Sequence, residues 1–598
     1  MSRHISDRIQ ALRQWLVTNN LDAIIIPHED EFLGEYIPEH NERLAYISGF
    51  VGSAGAAIIT QEQAAIFVDG RYTIQVTKQT PSEIFSYHHL IQEPPLTWAA
   101  QNLKKDARLA IDPKMHSATW FEKASLQVSE HLNMISVDQN PIDIIWQDRP
   151  DPIESTMRLM DLELVGQSSE AKRQHIADTL LHTNTDAALL TQLDSICWLL
   201  NIRGLDVSRL PVLLSHAIIH QDSSVDFFIA AHRIPSDFTQ HVGPNVRVHE
   251  PQDLENILAT LANKKVLVDP NTSNAWFTLT LQKHNAIIHP AADPCLLVKA
   301  CKNSVEAQGM INCHVRDGVA MVSFLSWLDK EVEQGQLHDE DVLASKLQYY
   351  REQDPTLADL SFDTISAAGS NAAMCHYNHA DQPEFGKLSL NSLYLVDSGG
   401  QYQDGTTDIT RTVAIGQPSD FMKQQFTLVL KGHIALASAR FPKGTTGSQL
   451  DILARQFLWA KGYNYDHGTG HGVGHFLSVH EGPQRISPAY NGVALQAGMV
   501  VSNEPGYYRT DEFGIRIENL ELIGNVESDG DLELLGFRSL TRCPIDTRAI
   551  NIDMLNRPEL AWLNDYHQKV WSDLSPLVEG EVRAWLKQAT APLSYAAS

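Results

Sequence analysis

Residues 395–412, with the sequence LVDSGGQYQDGTTDITRT, carry two aspartates on either side of a turn-like segment. An apolar run leads to Asp397, a turn containing glycine and aspartate follows, and a threonine-rich run carries Asp408. This pattern predicts a β-hairpin, whose neighbouring strands lie about 4.8 Å apart. Two carboxylates on facing strands can bind a pair of hard cations, and one of them can bridge the pair.

Two later segments carry further carboxylates beside apolar strand residues. Glu504 closes the run VVSNE, which is typical of a strand end. In the run GIRIEN at residues 514–519, alternation places the two isoleucines on one side of a strand. Arg516 and Glu518 then face the other side. There Arg516 can pair with a carboxylate of the site.

The four carboxylates at Asp397, Asp408, Glu504 and Glu518 imply compensating cations. Burying one unpaired carboxylate costs several kcal/mol, so four buried together require positive charge between them. Two divalent ions would balance the four negative charges and leave a histidine ligand neutral. An oxygen-rich donor set favours Mn²⁺-like ions over metals that prefer thiolates. The sequence therefore predicts a dinuclear metal site.

Residues 467–475, HGTGHGVGH, supply three imidazoles at a helical spacing. On a helix His467, His471 and His475 would share one face, as zinc-binding histidines do. Glycine interrupts them at every second position, and each glycine costs a helix about 1 kcal/mol relative to alanine. We therefore predict an irregular or extended loop in which each histidine is placed separately. A plain glycine loop with incidental histidines is the alternative.

The order Asp, Asp, His, Glu, Glu in these contexts resembles that of the pita-bread metallopeptidases, which include methionine aminopeptidase, prolidase and aminopeptidase P. The match runs from about residue 302 to residue 545, and over nearly the whole chain the sequence is similar to the three-domain aminopeptidase P family. The resemblance implies two divalent metal ions, expected to be Mn²⁺, and a homodimer. It implies five metal ligands: Asp397, Asp408, His471, Glu504 and Glu518.

The resemblance also implies roles for residues that contact the substrate. His467 would line the substrate pocket, and His480 would contact the scissile peptide. His376 aligns with the remaining active-site histidine of the family, although spacing alone leaves His379 as a competitor. Arg71, in a DGRY run, would approach the substrate. The alternative for Arg71 is a solvated arginine after a tight turn.

The expected reaction is hydrolysis of a peptide bond. Two ions about 3.5–4 Å apart lower the pKa of a bridging water and provide hydroxide near neutral pH. That hydroxide attacks the peptide carbonyl, and Glu504 carries the proton toward the leaving nitrogen. His376 and His480 donate hydrogen bonds to the substrate and to the developing oxyanion.

Over its full length the resemblance implies an aminopeptidase that releases the N-terminal residue from peptides with proline in second position. One alternative is a prolidase that acts on Xaa-Pro dipeptides. A duplicated N-terminal half and a C-terminal extension favour the aminopeptidase, since prolidase chains typically lack the middle domain. The other alternative is a non-catalytic pita-bread binding module, but such relatives typically lack the ligand set that is complete here.

Composition restricts the partners and the compartment. The chain carries 46 basic and 73 acidic residues, and its net charge of −27 repels nucleic acid and anionic membranes. The polar N-terminus lacks the apolar segment of a signal peptide, and no run approaches the ~20 apolar residues of a membrane span. Six cysteines without a CxxC pair fit the thiols of a reducing compartment. We therefore expect a cytoplasmic protein.

The N-terminal half contains two similar helix-then-strand units. Ser6 is predicted to cap the first helix, and a strand follows each helix. The pattern predicts two related α/β domains before a pita-bread catalytic domain, so the overall fold class is α/β (α+β). At a constant offset of 164 residues, five positions repeat: Leu12, Leu16, Asn20, Asp22 and Ala23 as Ile176, Leu180, Asn184, Asp186 and Ala187. The predicted domains are residues 1–158, 159–303 and 304–545, with an extension at 546–598 packed on the catalytic domain.

Overall fold

The structure is a computed structural model that describes residues 2–382 and 384–595. Helices and strands occur in both of its compact units, which confirms the predicted α/β class. Within the described residues, no helix is both long enough and apolar enough to cross a lipid bilayer. Unit 1 comprises residues 1–160 and 167–296, and unit 2 comprises residues 161–166 and 297–598.

The first half of unit 1 is a six-stranded sheet with helices around it. Its strands, in the spatial order β4-β3-β2-β1-β5-β6, are β1 (Ala23–Pro27), β2 (Gly55–Thr60), β3 (Ala64–Val68), β4 (Ser86–His89), β5 (Ala107–Ile111) and β6 (Leu132–Ser136). Its helices are α1 (Ser2–Thr18), α2 (Arg43–Ser48), α3 (Thr73–Gln79), α4 (Pro95–Asn102), α5 (Ala118–Val128) and α6 (Pro141–Ile145).

The second half of unit 1 builds another six-stranded sheet, in the order β12-β11-β10-β8-β13-β14, beside the short pair β7-β9. The strands are β7 (Arg158–Leu159), β8 (Ala187–Leu190), β9 (Ile202–Arg203), β10 (His216–His220), β11 (Val225–Phe228), β12 (Val246–His249), β13 (Lys265–Val268) and β14 (Ile287–Pro290). The helices of this stretch are α7 (Leu162–Val165, in unit 2), α8 (Ser169–His182), α9 (Leu193–Leu200), α10 (Phe238–Val242), α11 (Leu254–Ala259), α12 (Ala275–Lys283) and α13 (Leu296–Ala300, in unit 2 after its first residue).

The two sheets of unit 1 share one topology, which confirms the repeat predicted from the sequence. Antiparallel and parallel pairings follow each other in the same order across both sheets. Ala23 and Ala187 begin the corresponding strands β1 and β8. The preceding aspartates, Asp22 and Asp186, each accept a hydrogen bond of 2.7 Å from a backbone N–H of β5 or β13. Equivalent residues thus make equivalent contacts.

The predicted start of the first helix is wrong by one turn. Helix α1 begins at Ser2, so Ser6 lies inside the helix and does not cap it. The reason is that Ile5 extends the apolar face one turn earlier than the spacing of Ile9 and Leu12 suggested. Ile5 is buried with these two residues in the same hydrophobic cluster.

In the described part of unit 2, the chain forms the remaining α-helices and four sheets. The helices are α14 (Ser304–Glu333), α15 (Glu340–Arg351), α16 (Asp420–Ala437), α17 (Gly447–Trp459), α18 (Arg557–Leu574) and α19 (Gly580–Ala589). The strands are β15 (Leu357–Leu360), β16 (Ile365–Ala368), β17 (Ser392–Ser398), β18 (Gly400–Tyr402), β19 (Gly405–Thr406), β20 (Ile409–Ile415), β21 (Arg440–Pro442), β22 (Gly470–Gly472), β23 (Glu481–Ile486), β24 (Val500–Asn503), β25 (Gly506–Arg509), β26 (Phe513–Arg516), β27 (Asn519–Val526) and β28 (Leu534–Ser539).

The segment around residues 515–517 packs one of its faces against apolar helices of unit 2. The sheet orders are β16-β17-β20, β15-β18-β19, β25-β26 and β21-β28-β27-β24-β22-β23. Ile515 and Ile517 pack in one hydrophobic cluster with residues of α16 and α18, such as Phe426 and Leu563. Their burial confirms the predicted alternation and leaves the intervening polar side chains facing away from this core.

The domain bounds at residues 158, 303 and 545 stay a prediction. The residues that follow 545 form two helices whose apolar side chains, among them Leu560 and Val570, belong to the cluster of α16. Helix α18 begins with a capping box, in which Asn556 accepts from the backbone N–H of Glu559 and Glu559 accepts from the backbone N–H of Asn556. Such a cap satisfies backbone donors that the helix itself leaves unpaired.

Candidate metal centre

The predicted hairpin is present and brings Asp397 and Asp408 together. Strands β17 and β20 pair antiparallel with Asp397 opposite Thr410, and Asp408 directly precedes β20. Both aspartates are buried, at 7% and 4% exposure. At Gly399 an added Cβ would lie 1.9 Å from the Thr407 carbonyl oxygen, so the turn closes this tightly only with glycine there.

Arg516 is the last residue of β26, Glu518 lies between β26 and β27, and both enter the same buried region. Arg516 donates from an Nη atom to Asp397 Oδ2 at 2.5 Å, as predicted for a carboxylate partner. Thr410 Oγ1 donates to Glu518 Oε2 at 2.8 Å. Glu518 is 1% exposed, so both side chains of the GIRIEN run that face away from the apolar core end in the acidic region.

His471 lies on β22, an extended strand, as predicted for the glycine-rich segment. Its Nε2 is 3.5 Å from Asp408 Oδ2 and 3.5 Å from Glu504 Oε1, while its Nδ1 is 2.9 Å from its neighbour's carbonyl oxygen. Cβ atoms added at Gly470 and Gly472 would lie 2.0 Å and 2.4 Å from carbonyl oxygens of adjacent strands. The glycines are therefore required by close strand packing around the histidine.

Glu504 directly follows β24 and accepts a hydrogen bond of 3.1 Å from Ser502 Oγ. Burial raises the pKa of Glu504 to about 7, against the opposing effects of His471 and Arg516. Burial lowers the pKa of His471, but the carboxylates of Asp408 and Glu504 outweigh it and raise that pKa to about 9. Each shift reports a concentration of negative charge in a space that excludes water.

Asp397 and Glu518 show the same effect. Burial raises the pKa of both carboxyls, and repulsion from neighbouring carboxylates adds to it. Among the described residues, one buried oxygen each of Asp397, Asp408 and Glu518 has no hydrogen-bond partner. Buried polar atoms in native proteins normally have partners. Here their positions fit a cation that the oxygens would share.

Three of the predicted ligands already approach the geometry of a metal site. One ligand atom each from Asp408, His471 and Glu518 lies within 4.8 Å of the others. Glu504 Oε1 lies 3.5 Å from His471 Nε2, and Asp397 is close enough to Glu518 to raise the pKa of its carboxyl. The carboxylate and imidazole donors fit a divalent cation of the Mn²⁺ type better than a thiolate-preferring metal.

His467 is part of a hydrogen-bond network with Tyr508 and Arg516 that the sequence pattern did not predict. Its Nε2 is 2.8 Å from the Tyr508 hydroxyl, which also accepts from an Nη atom of Arg516 at 2.8 Å. Burial lowers the pKa of His467 to about 3, so its ring is neutral. Strand alternation could have revealed Tyr508, because the β25–β26 register pairs Gly506 with Arg516 and places Tyr508 on that same face.

Two further histidines are predicted to bind substrate: His480 lies beside His471, and His376 lies near His467. The His480 ring stacks edge-on against the His471 ring, with centroids 4.4 Å apart. His376, in the loop between β16 and β17, is close enough to lower the pKa of His467. Its competitor His379 lies 3.6 Å from Asp341 on α15.

Arg71 and His475 are placed as follows. Arg71 belongs to unit 1, where its Nη2 is 2.7 Å from Asp69 Oδ2 and its side chain is 31% exposed. Its substrate-binding role stays a prediction. His475 is buried beside α14, where a Cβ added at Gly309 would lie 3.1 Å from its Nε2.

Four family models match successive parts of the chain. Two models of a creatinase/prolidase N-terminal domain match residues 8–149 and 148–306. The model of metallopeptidase family M24 matches residues 308–525, and the model of the C-terminal region of M24 peptidases matches residues 533–593. The matches follow the predicted order of repeated domain, catalytic domain and extension.

Relatives extend the similarity over the whole chain. The "probable Xaa-Pro aminopeptidase P" of Laccaria bicolor is 37% identical, over 98% of this chain and 94% of its own length. Aminopeptidase P2 of Arabidopsis thaliana is 38% identical, over 96% of this chain and 86% of its own length. A crystal structure of X-prolyl aminopeptidase from Caenorhabditis elegans, described as a cytosolic enzyme with a di-nuclear active site, superimposes with a TM-score of 0.94 at 32% identity, covering 98% of this chain and 100% of that one.

A more distant structure delimits the shared fold. The Xaa-Pro dipeptidase from Bacillus anthracis superimposes with a TM-score of 0.51 at 21% identity, covering 99% of its own chain but 63% of this one. Fold and buried acidic cluster together define a pita-bread metallopeptidase. The chain belongs to metallopeptidase family M24 and, within it, to the aminopeptidase P relatives that it matches from end to end.

Proposed function

We propose that this chain is a metal-dependent aminopeptidase that releases the N-terminal residue from peptides with proline in second position. The observation that carries the proposal is the cluster around His471, in which Asp408 and Glu504 lie 3.5 Å from His471 Nε2 and Glu518 offers a ligand atom within 4.8 Å of those of Asp408 and His471. The cluster occurs in a chain that is 37% identical, over almost all of both lengths, to a protein named for Xaa-Pro aminopeptidase activity.

The proposed ligands of two divalent ions, with Mn²⁺ as the expected metal, are Asp397, Asp408, His471, Glu504 and Glu518. Two divalent ions carry four positive charges, which would balance the four carboxylates. The buried oxygens of Asp397, Asp408 and Glu518 that have no hydrogen-bond partner support a shared cation. The C. elegans neighbour is described as having a di-nuclear active site. When bound, such ions make a coordinated water acidic and polarise a carbonyl.

The chain's own residues would bind and orient the peptide. Glu504 is proposed to take a proton from water and release it toward the leaving nitrogen. His376 and His480 are proposed to donate hydrogen bonds to the substrate carbonyl as charge develops on its oxygen. His467, fixed by Tyr508, is proposed to line the pocket for the proline ring, whose nitrogen carries no hydrogen.

The substrate experiment compares three peptides at equal concentration with added Mn²⁺. They are an Xaa-Pro-Yaa tripeptide, the corresponding Xaa-Pro dipeptide and an Xaa-Ala-Yaa tripeptide. We expect fast release of Xaa from the first peptide alone. Preference for the dipeptide would instead indicate a prolidase. Absence of cleavage together with absence of tightly bound metal would indicate a non-catalytic binding protein.

A pair of variants tests the ligand assignment within one hairpin. Asp408→Asn should lose bound metal and activity, because a carboxylate at the centre of the site becomes neutral. Asp404→Asn is the matched control, since Asp404 lies in the same hairpin but pairs with Arg316. Metal content measured by elemental analysis should fall in the first variant only. Equal metal content in both would refute the assignment of Asp408.

Further parts of the proposal concern the assembly. We propose a cytoplasmic homodimer with the domain bounds predicted above. The description of the C. elegans neighbour as cytosolic and the six cysteines without a CxxC pair support the compartment. Sedimentation velocity tests the dimer, and limited proteolysis near residue 158 tests the first domain boundary.

A further inference from the structure

The loop between β16 and β17 carries His376, and one buried carboxylate contacts both ends and the middle of this loop. Glu340, the first residue of α15, is completely buried. We propose that Glu340 is a positioning residue for His376, acting through the hydrogen bonds that it accepts from the loop. The proposal rests on the substrate-binding role proposed above for His376. The His376 loop is defined as residues 369–382 and 384–386.

Both carboxylate oxygens of Glu340 accept hydrogen bonds. Oε1 accepts from the backbone N–H of Ala368 at 2.7 Å, where the loop begins, and from Asn371 Nδ2 at 2.9 Å. Oε2 accepts from the Tyr377 hydroxyl at 2.6 Å and from the backbone N–H of Gly386 at 2.8 Å, where the loop ends. The backbone N–H of Glu340 donates in turn to the Gly386 carbonyl at 2.9 Å. One side chain therefore closes the loop.

Tyr377 transmits this anchoring to its neighbour His376. Its side chain is 3% exposed, and its hydroxyl also accepts from Asn371 Nδ2 at 3.0 Å. The backbone at residue 377 is thereby held from the interior of the unit. His376 itself is only half-buried and lies near His467 in the candidate site.

Close packing on the opposite side prevents the loop from shifting. A Cβ added at Gly514 of β26 would lie 1.8 Å from the Ala372 carbonyl oxygen, so this part of the loop touches the strand that ends at Arg516. A Cβ added at Gly386 would lie 2.3 Å from Asn371 Nδ2 and 2.5 Å from Glu340 Oε1. The loop is thus confined between Glu340 and β26.

The energetic consequence follows from burial. Hydrogen bonds to a carboxylate are stronger than those between neutral groups, and a buried donor that loses its acceptor stays unpaired. A loop released from Glu340 would let His376 adopt several positions. Misplacing a group that contacts substrate by about 1 Å can cost roughly 100-fold in rate. Glu340 therefore acts on the reaction without touching the substrate.

The experiment uses two tyrosine hydroxyls near Glu340. Tyr377→Phe removes one donor from the carboxylate of Glu340, whereas the control Tyr394→Phe removes a buried hydroxyl that bonds Ser366 Oγ and not the loop. We expect kcat/KM for an Xaa-Pro-Yaa peptide to fall roughly tenfold in Tyr377→Phe and to stay near wild type in the control. Bound metal should be unchanged in both.

A double-mutant cycle separates positioning from general stability. His376→Ala alone should lower kcat/KM, and adding Tyr377→Phe to it should lower kcat/KM no further, because the anchored group is gone. Additive losses, or an equal loss in Tyr394→Phe, would overturn the proposal while wild-type cleavage still supports the proposed function. Inactivity of the wild-type chain would refute the proposed function instead. Glu340→Gln replaces a carboxylate oxygen that accepts from the Gly386 N–H by an amide nitrogen, which cannot accept. We therefore expect this variant to lower kcat/KM more than Tyr377→Phe does.

Discussion

Arg516 and Tyr508 connect His467 to the acidic side of the candidate site. The Tyr508 hydroxyl is 2.8 Å from His467 Nε2 and 2.8 Å from an Nη atom of Arg516, which also contacts Asp397. Hydrogen bonds of this kind fix the tautomer and the ring orientation of a histidine. Tyr508 and Arg516 therefore fix the orientation of the His467 ring.

Replacing Tyr508 by phenylalanine tests this link. We expect KM for an Xaa-Pro-Yaa peptide to rise and kcat/KM to fall roughly tenfold, because His467 loses one buried hydrogen bond. The matched control is Tyr507→Phe, since the Tyr507 ring packs in the hydrophobic cluster on the other face of β25. Peptide kinetics and metal content are measured for both. Identical kinetics in the two variants would contradict the link.

The buried carboxyl of Glu521, which is not one of the proposed metal ligands, should make the stability of the folded protein depend on pH. Burial raises its pKa to about 8, partly offset by Arg542 and by a hydrogen bond with Ser539. In the unfolded chain this carboxyl ionises near its ordinary value of 4.5. Between those two values the folded protein binds more protons than the unfolded chain, so stability falls as pH rises.

Glu521→Gln removes this ionisation. Thermal unfolding should show a higher Tm for the variant than for wild type near pH 9 and little difference near pH 5. Glu533→Gln is the control, since the Glu533 side chain is 76% exposed. Parallel Tm-versus-pH curves for wild type and Glu521→Gln would show that Glu521 ionises normally in the folded protein.

At the scale of elements, the helix pair α16 and α17 depends on one glycine. A Cβ added at Gly432 in α16 would lie 2.1 Å from the Ala454 carbonyl oxygen in α17. Helix propensity alone favours alanine over glycine by roughly 0.5–1 kcal/mol. Overpacking against rigid backbone costs roughly 1–3 kcal/mol, so the clash decides the sign.

Gly432→Ala should therefore lower the free energy of unfolding despite its better helix propensity. Gly524→Ala serves as the control, because apart from the adjacent residues of the chain no heavy atom of the described residues lies within 4 Å of a Cβ added there. Denaturant unfolding followed by circular dichroism compares the two variants. A Gly432→Ala protein more stable than wild type would show that α16 and α17 can separate without cost.

At the scale of the whole molecule, the negative charge of the acidic cluster should make the stability of unit 2 depend on bound cations. Burial raises the pKa of Glu504 to about 7 and that of Glu518 well above its usual range. In the metal-free protein, folding raises the pKa of these carboxyls. The free energy of unfolding therefore decreases as the pH rises through the raised pKa. Metal binding must then release protons and stabilise the folded state together.

Chelation should consequently lower Tm by more near pH 8 than near pH 6. At the lower pH, protons on the buried carboxyls relieve their mutual repulsion. Differential scanning calorimetry with and without a chelator, followed by re-addition of Mn²⁺, measures the effect and its reversal. A chelator-induced change in Tm that is absent, or equal at both pH values, would contradict a cation-dependent acidic cluster.

Short-range patterns determined the chemistry of the donors and much of the fold. The alternation around Arg516, the glycines around His471 and the turn between Asp397 and Asp408 each depend on near neighbours in the chain. The 164-residue repeat was visible for the same reason, since each copy builds the same local contacts. Strand periodicity and glycine spacing depend on residues close together in the chain, so they can be predicted from the sequence alone.

Contacts between distant segments were decided only by the tertiary structure. Ser6 suggested a cap, but packing of Ile5 moved the start of α1. Glu340 gave no signal in the sequence, because its donors extend from Ala368 to Gly386 and meet only when the loop closes around it. Tyr508 likewise acquired its role from partners on two other segments. Local propensity specifies which face of an element is polar, whereas long-range packing selects which polar groups meet.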